Sequence, residues 1–215
     1  MTMNLELERY VEQVKQWPSD GQHILAQYTD TYIVVYQAYR PSIGHFAANN
    51  QYFGGEYSYS RMSWIKPNFL WMMYRSGWGE KQGQEIILAI KIKLEYFEEI
   101  LKNAVPSTFQ ASKYRDKEEW KSASQASSVR LQWDPDHDPQ GNKILRRAVQ
   151  LGLRNELLEP FKGDGIVEIE DINSFVNEQR EHALTGNYDE LITPKEKIYI
   201  PLNDEAAVNV GIDKN

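Results

Sequence analysis

With 215 residues, of which 41% are hydrophobic and 26% charged, the chain has enough apolar material for one core and no bias towards disorder, so a single folded domain is expected. A net charge of −7 excludes a broad basic face for non-specific nucleic-acid binding and leaves a local basic cleft as the place for an anionic partner. The lack of cysteine excludes disulfides, thiolate nucleophiles, Cys-ligated zinc and iron–sulfur clusters, and the lack of a basic-apolar leader or a long apolar run points to the cytoplasm without a membrane span.

In chain order, Leu7, Val11 and Val14, flanked by Tyr10 and Trp17, share a helical stripe that predicts a helix over 4–17. Pro18 stops it, and residues 1–20 read as a helical appendage. TYIVVYQAY (31–39) reads as a buried strand, after which Pro41 opens a short helix over 41–51. RMSWI (61–65) is a second, short strand. Pro67, at a first helical position, starts a helix that is apolar nearly all round and stops at Gly77. EIILAIKIKL (85–94) reads as a strand passing from core to edge, and EYFEEILKNA as an amphipathic helix. Residues 105–127 are polar and aperiodic, which predicts a long surface loop that closes as a lid, with a short helix around KEEW as the alternative. VRLQWD (129–134), ILRRAVQLGL (144–153) and GIVEIED (165–171) read as strands, with helices at 155–162 and 173–186. KIYIPL (197–202) is the last strand-like piece before a tail over 204–215. This order predicts one α+β domain over 21–203, with a mixed, largely antiparallel sheet flanked by helices.

Most familiar catalytic signatures are missing, among them G-x-S-x-G, the phosphate-binding P-loop, G-x-G-x-x-G and H-E-x-x-H. His23, His45, His137 and His182 have no zinc-ligand spacing, so no metal is expected. DPDHDPQGN (134–142) alternates aspartates like a calcium loop, but Pro139 and Leu145 stand where the turn glycine and the bidentate glutamate belong. It reads as an acidic hairpin turn. RMSWIKPNFLWMMYRSGWG (61–79) holds three of the six Trp and three of the five Met, together with Arg61, Lys66 and Arg75. No carboxylate occurs in that run, so the cations need either a distant carboxylate or an anionic ligand. Trp64, Trp71, Met72 and Met73 read as core, and Trp78, past the helix end, as an exposed stacking surface.

The runs VVYQAYRPSI, RMSWIKPNFLWMMYRSGWG, VRLQWDPD and AVQLGL resemble the family called domain of unknown function 4291, over about residues 21–200. That resemblance implies no activity. The family pattern has two arginines before the first strand, in a segment resembling R-Q-I-R-A, where this chain has Gln22 and Leu25. At the level of architecture, a strand, a short helix, a strand carrying Ser and an apolar helix resemble the opening of the ADP-ribosyltransferase fold. That likeness implies that Gln37 and Ser63 hold the nicotinamide ribose of NAD and that Gln150 steers the acceptor. It further implies Arg61, Lys66 and Arg75 on the diphosphate and Tyr36, Tyr39 or Trp78 for stacking. Gln37 replaces the usual His or Arg, and Gln150 the common Glu, which leaves no charge there to stabilise a cationic transition state or take a proton. Alternatively, the three are ordinary polar residues of a sheet, and the chain is a non-catalytic module that binds a nucleotide or single-stranded nucleic acid, using Arg130, Trp133, Arg146 and Arg147 as well.

Overall fold

The computed structural model describes residues 4–213, and two sheets, linked at one point, form its frame. In the first sheet, β3 (Tyr32–Tyr39) pairs antiparallel with β5 (Ile86–Lys93), which pairs antiparallel with β9 (Ile166–Asp171). Alternation of side chains along β3 sends Ile33 and Val35 to one core and Val34 and Tyr36 to another. Both faces are covered, which is why YIVVY is a continuous apolar run. The second sheet runs in the order β4 (Ser63–Ile65), β8 (Lys143–Leu153), β7 (Val129–His137), β6 (Ala104–Pro106). Only the β6–β7 pair is parallel, so the α+β fold with largely antiparallel sheets is as read from the sequence.

The larger core lies between the sheets and collects Ile33, Val35, Leu88 and Ile90 from one, Leu131, Val149 and Leu151 from the other, and Phe97 from α4 (Leu94–Lys102). The smaller core lies under α3 (Phe69–Ser76), where Phe69, Leu70, Met72 and Met73 pack against Val34, Tyr36, Ile87 and Ala89. Helix α3 starts at Asn68, whose side chain accepts from the Trp71 N–H at 2.7 Å, and ends at Gly77 with φ 58°. Pro67 precedes this cap instead of opening the helix.

Helix α2 (Pro41–Asn50) is pressed onto the first sheet at Gly44, where an added Cβ would lie 2.5 Å from two carbons of Ile86. Gly44→Ala is therefore expected to cost about 1–3 kcal/mol by overpacking, despite the better helix propensity of alanine. Urea unfolding of the variant measures it; a neutral or stabilising result would mean that α2 shifts freely.

Several sequence expectations are corrected. Residues 4–17 form β1 (Leu7–Arg9) and a single turn, α1 (Tyr10–Gln13), because the buried residues are Leu5, Tyr10, Gln13 and Trp17 while Leu7 and Val14 are exposed. The presumed stripe is not the buried one. Strand β1 pairs with β10 (Ile192–Pro194), and β2 (Ile24–Ala26) with β11 (Lys197–Tyr199). Residues 155–162 form two short 3₁₀ turns, Asn155–Leu157 and Glu159–Lys162, since Pro160 cannot donate the helical hydrogen bond. The 105–127 segment contains α5 (Lys117–Ala126), the helix around KEEW that was the alternative to a plain loop, capped by Asp116. Its last carbonyls are clamped by the guanidinium groups of Arg130 and Arg154. Helix α6 (Asn173–Thr185) follows β9, and α7 (Asp204–Val210), in the supposed tail, packs on α4 and β6. Among the described residues, no helix is long and apolar enough to cross a membrane.

Candidate functional site

The two sheets meet at a two-residue bridge in which the Tyr36 N–H donates to the Lys66 carbonyl at 2.7 Å and the Lys66 N–H donates back at 3.2 Å. Beyond it, β3 and β4 diverge, and the gap is a cleft of about 760 Å³. Gln37 and Tyr39 from β3, Ser63 from β4 and Gln150 from β8 line it, with Arg61, Lys66 and Arg75. The three proposed reaction residues thus converge from three strands. Alternation explains the selection along β3: Gln37 and Tyr39 share the face that looks towards the second sheet, and Tyr36 lies on the other.

A hydrogen-bonded chain ties the first of these together. Gln37 Nε2 donates to Ser63 Oγ at 2.7 Å, and the Tyr39 hydroxyl is 2.9 Å from the same oxygen. Gln37 is buried, and its Oε1 has no partner among the described residues. Burial raises Tyr39 well above its ordinary value, so its hydroxyl stays protonated. On the opposite wall, Gln150 Nε2 donates to Asp134 Oδ2 at 2.8 Å, and Gln132 Nε2 donates to Asp134 Oδ1 at 2.8 Å. The carboxylate holds both amides and leaves Gln150 Oε1 without a donor among the described residues. Asp134 and Gln132 were not singled out as site residues in the sequence; the alternation Q-x-D along β7, with Trp133 on the opposite face, is the signal that places them beside Gln150, and the register pairing of Gln132 with Gln150 completes it.

Among the described residues, none of Arg61, Lys66 and Arg75 has a carboxylate within 4.0 Å. Arg61 and Arg75 are exposed on the rim. Lys66 is 7% exposed, and its Nζ donates to the Trp64 carbonyl at 3.3 Å. Its amine is lowered to about 8, chiefly by burial and then by the Arg75 charge, against the opposing effect of Asp134. The only carboxylate on the rim among the described residues, Glu56, is already engaged by Arg40 at 2.8 Å and by the Ser42 hydroxyl.

The other expected site residues lie elsewhere. Tyr36 is fully buried under α3, edge-on to Phe69. Trp78 is buried as well, because the left-handed turn at Gly77 and Trp78 folds its ring back against Phe69, with Nε1 donating to the Pro139 carbonyl. Neither offers a stacking surface in the cleft. Arg146 is committed to a buried ion pair with Asp136, its Nη2 2.6 Å from Oδ2. Arg130 serves the end of α5, and the Trp133 indole donates to the Val210 carbonyl. Trp133 and Arg147 border a separate hollow of about 390 Å³, together with Gln22 and Gln132. Among the described residues, Gln132 alone belongs to both spaces. Of the family's two arginine positions, Gln22 therefore lines this hollow and Leu25 is core. No residue of 105–127 lines the main cleft, and Pro106, Ser107, Thr108 and Gln110 line the separate hollow instead. At 134–142 the chain makes the expected acidic hairpin, with Asp138 Oδ1 accepting from the N–H groups of Gln140 and Asn142.

Residues 23–199 match the family model described as Domain of unknown function (DUF4291), and the chain belongs to that family. No curated protein matches it.

Proposed function

For this member of the DUF4291 family, we propose a nucleotide-binding enzyme that transfers ADP-ribose from NAD to an acceptor. The observation that supports this reading is the convergence of Gln37, Ser63 and Gln150, from three strands, in one cleft with three cations that have no carboxylate partner among the described residues. A site rich in unpaired cations suits a diphosphate, which accepts charge-assisted hydrogen bonds from arginine. The unpartnered Gln37 Oε1 suits a hydroxyl or amide donor of the same ligand.

NAD would supply the ADP-ribosyl group on a cationic nicotinamide leaving group. On this reading Arg61 and Arg75 hold the diphosphate, with Lys66 behind them, and Ser63, fixed by Gln37 and Tyr39, orients the ribose. Gln150 positions the acceptor through Oε1. Asp134 supplies the negative potential that a glutamine lacks, through the two amides it holds, where positive charge grows as the glycosidic bond breaks. The hollow shared through Gln132 gives a nucleic acid or other extended acceptor a route to Gln150. Non-catalytic nucleotide binding is the competing reading.

Calorimetry with NAD, ADP-ribose and ATP tests the binding step. Arg61→Glu with Arg75→Glu is expected to weaken binding by roughly 10- to 100-fold, the loss of one or two charge-assisted contacts. Absence of binding at millimolar ligand ends the proposal. Release of nicotinamide then separates enzyme from binding module, and Gln150→Ala is expected to slow release more than it weakens binding.

A further inference from the structure

Lys66 differs from the two arginines of the cleft in a way that phosphate binding does not require. An arginine on a rim keeps its charge and its hydration; a lysine placed under the surface loses hydration and needs a reason to be there. Lys66 is 7% exposed, its Nζ has the Trp64 carbonyl as its one hydrogen-bond partner among the described residues, and it opens onto a cleft of about 760 Å³. A neutral amine needs fewer partners than an ammonium. We propose that Lys66 is an imine-forming nucleophile for an aldehyde that carries a phosphate, with Arg61 and Arg75 receiving the phosphate.

The charges around the amine favour the free base. Arg75 of α3 lowers it, Asp134 of β7 opposes, Arg61 adds positive charge on the same cleft, and Glu56 is engaged by Arg40. With burial as the largest contribution, the amine lies at about 8, against 10.5 for an ordinary lysine. A useful fraction is therefore nucleophilic at neutral pH. In the reaction, the nitrogen lone pair forms a bond to the carbonyl carbon and the C=O π pair moves to oxygen. Both N–H hydrogens then leave with that oxygen as water, giving C=N. No oxidant or further reactant is needed. The inference does not depend on NAD, since it uses only the amine and the two arginines that line the same cleft.

Glyceraldehyde 3-phosphate with cyanoborohydride, which reduces an imine to a stable amine, provides the test by intact mass and peptide mapping. The expected result is one adduct, on Lys66, formed about tenfold or more faster than on other lysines at pH 7. Its rate should rise with pH and level off above about 8, where the free base predominates. Inorganic phosphate should slow it, and unphosphorylated glyceraldehyde should react at least several-fold more slowly. Lys66→Met should remove the adduct while retaining the far-ultraviolet circular dichroism of the wild type, which guards against an unfolded variant. Label spread over surface lysines and unchanged in Lys66→Met overturns the nucleophile. Equal rates for the two aldehydes overturn the phosphate-bearing class.

Discussion

Arg146→Ala is expected to destabilise the fold by about 3–5 kcal/mol, the cost of leaving one member of a buried ion pair alone. The Asp136 and Arg146 side chains are 1% and 4% exposed, and Arg146 donates to Asp136 Oδ2 through Nε at 2.8 Å and Nη2 at 2.6 Å. Its Nη1 donates to the Pro18 carbonyl at 2.9 Å, and its guanidinium lies 5.2 Å from the Trp17 ring centre. Alanine would therefore strand a carboxylate, orphan a carbonyl and loosen the N-terminal segment together. For a chain of this size the loss corresponds to a fall in Tm of roughly 10 °C. Urea and thermal unfolding measure it. Unaltered stability combined with weakened nucleic-acid binding would instead return Arg146 to the role of a surface contact.

Lys66→Met is expected to act in the opposite direction, raising stability by about 3 kcal/mol at pH 7. The amine at about 8 in the fold and 10.5 when unfolded pays for its burial by that amount whenever it is charged. Methionine fills similar volume without the charge. Because the folded value is the lower one, the unfolded chain binds more protons between pH 8 and 10.5, so wild-type stability gains with rising pH in that window. The advantage of Lys66→Met should thus be full below pH 8 and vanish above 10.5, a trend readable as the difference between two urea titration series. A variant less stable than the wild type at pH 7 would show that the ammonium is well solvated or paired. A stabilised variant that has also lost ligand binding is the pattern of a residue kept for function at a cost in stability.

What was legible in the sequence follows from how local each cause is. β3, β5 and α3 have eight residues each, long enough for a pattern to show, and Pro41 and Gly77 mark boundaries through their own backbone geometry. Strands β1, β2 and β10 have three residues apiece, too few for any period, and exist because remote partners supply their hydrogen bonds, whereas β11 falls within the strand-like KIYIPL. Period 2 along β3 also separates Gln37 and Tyr39 from Tyr36, a distinction available from spacing alone. The cations of 61–75 could be marked only as lacking a carboxylate within their own run, which left a distant carboxylate and an anionic ligand both open. Arg146 could not be marked as paired, because its partner is ten positions away across a hairpin whose register bulges between Pro135 and His137. Trp78 was misjudged because a positive φ at a tryptophan is rare, and the turn that buries its ring depends on it.

The pairing of Leu7 with Pro194 and of Ala26 with Lys197 has a kinetic side. Ribosomes add about 5–20 residues per second, so the early strands wait on the order of ten seconds or longer for their partners to be made. Throughout that interval their backbone edges stay open to other chains, the condition under which nascent sheets aggregate. Contacts so distant along the chain also slow the closing step itself, since loop entropy is lost before any hydrogen bond forms. Refolding in vitro should therefore end in a slow phase reported by Trp17, whose indole donates to the Glu196 carbonyl at 2.9 Å. Chaperone demand in the cell should fall on the same late event, the zippering of the first strands of the chain onto the last.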